Sequence, residues 1–166
     1  MLSSGGGTKE FTDEAELMAK LSEIPVDDFV ADMTAAIDEL GRRVPDAKIG
    51  AIGFCFGGGM VWQLVQSGEP RLAAAAPFYG TTPDEGPDFG DSKAAVLGVY
   101  AELDDRVNAT RDGAEAALQD AGLEHEIVTY PGVNHAFHND TGTRYDAGYA
   151  TKAWVATIEW FRKYLI

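Results

Sequence analysis

Cysteine, histidine and basic residues are all scarce in this sequence. A single cysteine, Cys55, stands among 166 residues, so no disulfide can form within the chain and a thiolate zinc cluster built by one chain is excluded. Lysine and arginine total 13 against 27 aspartates and glutamates, a net charge of −14. A surface that negative repels phosphate, which argues against nucleic acid and anionic membrane as partners. No apolar run approaches the roughly 18 residues that cross a bilayer. The first residues, Met1 through Gly7, lack the basic patch and apolar stretch of a signal peptide. A cytoplasmic protein with a free thiol and no cofactor is the expectation.

Apolar residues are plentiful at 45%, enough for the core of a single domain spanning 1–166, with residues 1–11 read as a flexible loop. Thr12–Ser22 has the spacing of a short amphipathic helix. Pro25 then opens a second, whose Val30, Met33, Ile37 and Leu40 share one face and which ends near Gly41. At Ile49–Phe54 the period changes: six apolar residues without polar alternation predict a strand covered on both faces. Gly57, Gly58 and Gly59 open a helix through Met60, Leu64 and Val65, stopping near Gly68 and Pro70. Leu72–Tyr79 and Ala94–Ala101 are the next strands, although the alanines of the former also allow a helix, and Gly80–Ser92 is a surface excursion between them. Asn108 is placed as the cap of a helix with Ala114, Ala117, Leu118 and Ala121 inward. His125–Tyr130 is the fourth strand, with His125 a solvated edge residue. A last helix from about Asp146 carries Trp154, Ile158, Phe161 and Leu165 on its inward stripe. This rhythm predicts an α/β fold, an open and mostly parallel sheet with flanking helices.

In such sheets function collects beyond the carboxyl ends of the strands. Those loops hold, in order, Cys55, then Asp104 or Asp105, then His135. A nucleophile, an acid and a base therefore fall at one end of one sheet. Gly53-Phe54-Cys55-Phe56-Gly57 has the form of a nucleophile elbow, with cysteine in place of serine. Its flanking residues must be small because the backbone turns sharply there. The helix that follows aims its N-terminal dipole at the sulfur, favouring thiolate over thiol, and the Phe56 N–H is the natural oxyanion donor. Order along the chain (nucleophile, acid, histidine) matches the α/β-hydrolase arrangement. Of the two acids, one orients the histidine and the other is solvated or pairs with Arg106. His135-x-x-His138 with Asp140 is a weak metal pattern outside a helix, and no metal is expected. Arg144 and Tyr145, in a loop after the histidine, could bind a substrate carboxylate.

The blocks Lys48–Gly59 (KIGAIGFCFGGG), Tyr100–Val107 (YAELDDRV) and Tyr130–Phe137 (YPGVNHAF) resemble the dienelactone hydrolase family, cysteine-dependent members of the α/β-hydrolase superfamily. By motif position the resemblance implies Cys55 as nucleophile, His135 as base and Asp104, rather than Asp105, as acid. It implies lactones or small carboxylic esters as substrates, opened through a thioester. The family also has strands ahead of the elbow strand, carrying a second oxyanion donor and a glutamate near the cysteine. Here two helices and a Gly/Ser loop occupy that place, and Leu2–Thr8 looks like the segment that follows such a strand. A truncated chain, a misplaced start, or a fold completed by a partner would each account for this shortened α/β-hydrolase fold, and each leaves the Ile49–Phe54 edge open to a homodimer contact. Two further readings stand beside the hydrolase: an inactive hydrolase-fold module serving assembly or partner binding, and a flavodoxin-like or nucleotide-binding domain whose Gly53–Gly59 turn cradles phosphate, though without the lysine of a P-loop.

Overall fold

Four parallel strands form the sheet in the order β1-β2-β3-β4: β1 (Ile49–Phe54), β2 (Leu72–Phe78), β3 (Ala95–Ala101) and β4 (His125–Tyr130). The computed structural model describes residues 7, 13–83 and 86–166; apart from Gly7, the expected loop over 1–11 and the segment Leu2–Thr8 lie outside the described residues. Helices precede and connect the strands as α1 (Glu14–Ser22), α2 (Val26–Arg43), α3 (Phe56–Gln66), α4 (Asp105–Asn108), α5 (Arg111–Asp120) and α6 (Ala147–Leu165).

All seven residues of β3 are buried, and their alternation divides the core in two. Val96 and Tyr100 join Trp62, Leu64, Val65, Ala114 and Leu118 on the α3 and α5 side. Ala95, Leu97, Val99 and Ala101 join Phe78, Phe137, Ala153 and Trp160 on the α6 side. The alanine-rich β2 is a strand because it lies between two others: small side chains let α3 and α6 approach closely, and ladder pairing overrides helical propensity. Its register, Phe54↔Phe78 and Phe78↔Val99, aligns the carboxyl ends of β1, β2 and β3.

Several expectations need correction. β1 is one of the sheet's two edge strands and is not covered on both faces: Ile52 and Phe54 are each 37% exposed. Helix α2 ends at Arg43, near Gly41 as expected, and buries Phe29 and Ile37, but Leu40, expected on the inward face, is exposed. Asn108 ends α4 and does not cap the next helix; its side-chain amide donates to the carbonyls of Ala101 and Glu102, and Thr110 holds the cap position of α5. In α6 the buried residues are Ala150, Ala153, Thr157 and Trp160, while Phe161 and Leu165 pack against the same core as expected. Trp154 is exposed and meets the His138 ring instead. The excursion after β2 is anchored by Phe89, which is buried and stacked on Trp62.

Candidate active site

The carboxyl ends of β1, β3 and β4 feed three turns that meet. Cys55 lies between β1 and α3 with φ 54 and ψ −118, a conformation that L-residues avoid and that costs on the order of 1–3 kcal/mol. Close packing holds it there. Its N–H donates to the Phe78 carbonyl at 3.0 Å, and its own carbonyl accepts from Gly59 N–H at 3.1 Å. A Cβ at Gly53 would lie 2.1 Å from the Gly57 carbonyl oxygen, whereas one at Gly57 would meet nothing within 4 Å. Of the two motif glycines, only the first is therefore demanded by sterics with its surroundings. A Cβ at Gly80 would lie 2.1 Å from the backbone nitrogen of Gly59, so the end of β2 crosses the first turn of α3 at backbone contact.

Cys55 is exposed, and the His135 ring joins its sulfur to Asp104. His135 Nε2 is 3.0 Å from Cys55 Sγ, and His135 Nδ1 is 2.6 Å from Asp104 Oδ2. An ionised carboxylate only accepts, so Nδ1 carries the hydrogen and the Nε2 lone pair faces the thiol. Asp104 is 6% exposed. Its second oxygen, Oδ1, accepts from Val107 N–H at the start of α4, which fixes the carboxylate plane. Asp105 is exposed, so the structure brings Asp104, and not its neighbour, to the imidazole.

Two loops must keep register for that pair to form, and they are tied together directly. Glu102 N–H donates to the Tyr130 carbonyl, Leu103 N–H to the Val133 carbonyl, and Gly132 N–H to Glu102 Oε2 at 2.7 Å. Glu102 escaped the sequence reading; its position two residues before the acid is the only local signal. Beyond the histidine, Ala136 has φ 64 and the buried Phe137 packs on Tyr79 and Tyr130. Of four described non-glycine residues with positive φ, three (Cys55, Tyr79 and Ala136) surround the site. Backbone strain concentrated in this way is characteristic of functional positions.

A cavity of about 360 Å³ opens beside the sulfur, lined by residues that include Cys55, Phe56, Gln63, Thr81, Thr82 and Arg106. Phe56, which lines the cavity, begins α3, so its N–H has no intrahelical acceptor. Arg144 and Tyr145 are exposed and are not among the described residues lining this cavity. The cation at the site is Arg106, which makes no ion pair with a described residue, whereas Arg42, Arg43, Arg71 and Arg111 all do. The ring of His138 packs between Phe54, Phe78 and Trp154, and among the described residues no group of three or more His, Cys, Asp or Glu could hold a metal ion. No described helix is long and apolar enough to cross a membrane.

A parallel sheet flanked by helices, with a cysteine at a strand–helix elbow and an acid and a histidine on later loops, defines the α/β-hydrolase fold. The chain aligns over 94% of its length with the crystal structure titled "Putative Dienelactone Hydrolase" from Klebsiella pneumoniae, at TM-score 0.80 and 29% identity, covering 70% of that chain. It aligns over 93% of its length with a dienelactone hydrolase-like promiscuous phosphotriesterase from metagenomic libraries, at TM-score 0.81 and 24% identity, covering 70% of that chain. The sequence model of the dienelactone hydrolase family matches residues 1–165, and the chain belongs to that family. It is 30% identical over 171 residues to an Escherichia coli O157:H7 protein named "Putative carboxymethylenebutenolidase", covering 96% of this chain and 63% of the relative. A protein of the same name in Methylorubrum extorquens is 30% identical over 172 residues, with 59% of its length covered. The chain thus spans less than two thirds of the length of these two relatives.

Proposed function

We propose that this chain hydrolyses lactones or small carboxylic esters through a Cys55–His135–Asp104 triad and a thioester on Cys55. The observation that supports this most is the unbroken line of contacts from sulfur to imidazole to carboxylate, at 3.0 Å and 2.6 Å. In the first half of the reaction the Cys55 thiol gives its proton to His135 Nε2 and the sulfur forms a bond to the substrate carbonyl carbon. The carbonyl oxygen takes up the negative charge and accepts from the Phe56 N–H. The carbon–oxygen bond to the alcohol then breaks, the alkoxide takes the proton from Nε2, and the acyl group remains on sulfur. In the second half water loses a proton to Nε2, its oxygen bonds to the thioester carbon, the carbon–sulfur bond breaks, and the thiolate recovers the proton. Asp104 accepts from Nδ1 throughout and stabilises the imidazolium between the steps.

Arg106 offers the cavity a cation to which an anionic substrate can bind within an otherwise acidic protein. The lone free thiol fits a reducing compartment such as the cytoplasm. The experiment is a stopped-flow assay with an activated ester: a burst of alcohol release equal to the enzyme concentration is expected, abolished in Cys55→Ala and His135→Ala. An unchanged rate in Cys55→Ala removes the proposal.

One observation favours a second reading, a hydrolase-fold module acting in assembly. Among the described residues no strand pairs with the outer side of Ile49–Phe54, and Ile52 and Phe54 are partly exposed, as in a strand that pairs with a second copy. Light scattering tests it: a dimer that dissociates in Ile52→Lys supports this reading, and a monomer at high concentration excludes it.

A further inference from the structure

Hydrogen bonds hold the His135 ring at its two nitrogens, one to Asp104 and one to Cys55. The ring is also tethered through its Cβ, so both bonds form only at one setting of the side-chain torsions, which the surrounding atoms must hold. The third contact comes from Tyr79, whose ring meets the imidazole edge to face with centroids 5.1 Å apart and planes at 62°.

Tyr79 is held unusually firmly. It follows the last residue of β2 and is 2% exposed. Its N–H donates to the Val99 carbonyl at 2.8 Å, and the next residue, Gly80, is pressed against the backbone of Gly59. Phe78 and Phe137 pack against its ring at centroid distances of 6.0 and 5.6 Å. Yet its φ is 35, a left-handed conformation that asparagine or glycine would adopt far more readily than a bulky aromatic. Its ring belongs to the same buried core as Phe78 and Phe137, and it reaches beyond that core to the imidazole. The strained backbone turns the side chain back toward the histidine.

We propose that Tyr79 is a positioning residue for His135, its buried ring acting as a wedge that keeps the imidazole aligned between Asp104 and Cys55. This rests on the reading of those three residues as a working triad. Burial, and after it the charge of Cys55, push the Tyr79 phenol up to about 12, so the ring stays neutral beside the imidazolium. The ionisable groups shown against it are Cys55 from the elbow and His135 itself. His138 lies beyond Phe54 and Phe78.

The test compares Tyr79→Phe, which keeps the ring, with Tyr79→Leu and Tyr79→Asn, which remove it; asparagine tolerates the left-handed backbone and so guards against simple unfolding. Alkylation of Cys55 by iodoacetamide at neutral pH and the proton resonance of His135 Nδ1–H are the readouts, since neither requires turnover. Tyr79→Phe is expected to alkylate within about twofold of the parent, whereas both ringless variants slow by about tenfold or more and lose the Nδ1–H resonance. Folded ringless variants that alkylate like the parent and keep the resonance overturn the proposal. So does a Tyr79→Phe variant as slow as Tyr79→Leu, which would assign the effect to the hydroxyl. In the unmodified protein, absence of nuclear Overhauser contacts between the two rings overturns it without any variant. His135→Ala separates the two levels: if it leaves alkylation unchanged the triad reading itself fails, and if it slows alkylation while the ringless variants do not, only the wedge fails.

Discussion

Gly53 and Gly57 meet across the elbow so closely that a methyl group on the first would lie 2.1 Å from the carbonyl oxygen of the second. Neither partner can retreat, because that carbonyl belongs to the first turn of α3 and Gly53 is paired in the sheet opposite Pro77. Gly53→Ala is expected to lower stability by about 1–3 kcal/mol and to displace Cys55. Gly57→Ala, whose Cβ meets open space, is expected to unfold within about 1 kcal/mol of the parent, since alanine also suits a helix better than glycine. Urea denaturation of the two variants checks the asymmetry.

Asp104 has two jobs, and substitutions separate them. Asparagine can still accept from Val107 N–H and so cap α4, but it does not hold the imidazole in the required tautomer as a carboxylate does. Asp104→Asn is therefore expected to lower kcat on the order of 10²- to 10⁴-fold with a melting temperature close to the parent. Asp104→Ala should lose activity and a cap together, at a further cost of about 1 kcal/mol. Steady-state kinetics beside thermal melts distinguishes them.

Away from the site, Glu69 is 8% exposed and accepts from the Arg71 backbone and guanidinium. The side-chain hydrogen bond from Arg71 holds its carboxyl below the ordinary range, against the opposing effect of desolvation. A folded-state value below the unfolded one adds stability above the unfolded value, and that stability is lost as pH falls through the folded value. Glu69→Gln is expected to cost about 1 kcal/mol at neutral pH. The difference from the parent should shrink on acidification below the ordinary glutamate range, as denaturant titrations across pH will show.

Trp62 is fully buried and stacks on Phe89 at a centroid distance of 5.6 Å. Its contact ties α3, and hence the elbow, to the segment between β2 and β3. Trp62→Ala is expected to cost about 3–5 kcal/mol. Phe89→Ala, by releasing that segment, should increase amide exchange between Thr81 and Ser92 before it affects the sheet. Calorimetry and hydrogen exchange provide the two readings.

How much the sequence discloses depends on how local each cause is. The elbow was legible because a strand, a sharp turn and a helix start are written in consecutive residues from Ile49 to Gly59. Strands β2 and β3 are legible from their apolar runs, although the alanines of β2 also allow a helix, and β4 from the β-branched and aromatic residues Ile127, Val128, Thr129 and Tyr130. Asn108 was misplaced because its amide answers the carbonyls of Ala101 and Glu102, a partnership that competes with the capping role its residue type suggests. Periodicity places Trp154 inward, yet α6 buries Ala150, Ala153, Thr157 and Trp160 and leaves the Trp154 indole on the His138 ring. That Arg106 lines the cavity is not legible in the sequence, because the wall is assembled from α3, the segment after β2 and α4, and no spacing within one segment reports that meeting. Coverage of β1 on both faces was inferred from its apolar run, but burial of an edge strand depends on neighbours that the run itself does not encode.

Intact-mass spectrometry of the protein, quenched during turnover of an activated ester, tests the central claim most directly. A single acyl adduct that maps to Cys55, builds up in the unmodified protein and is absent from Cys55→Ala is the predicted result. Ester hydrolysis that proceeds in Cys55→Ala at the unmodified rate, with no adduct on the sulfur in either protein, would contradict it.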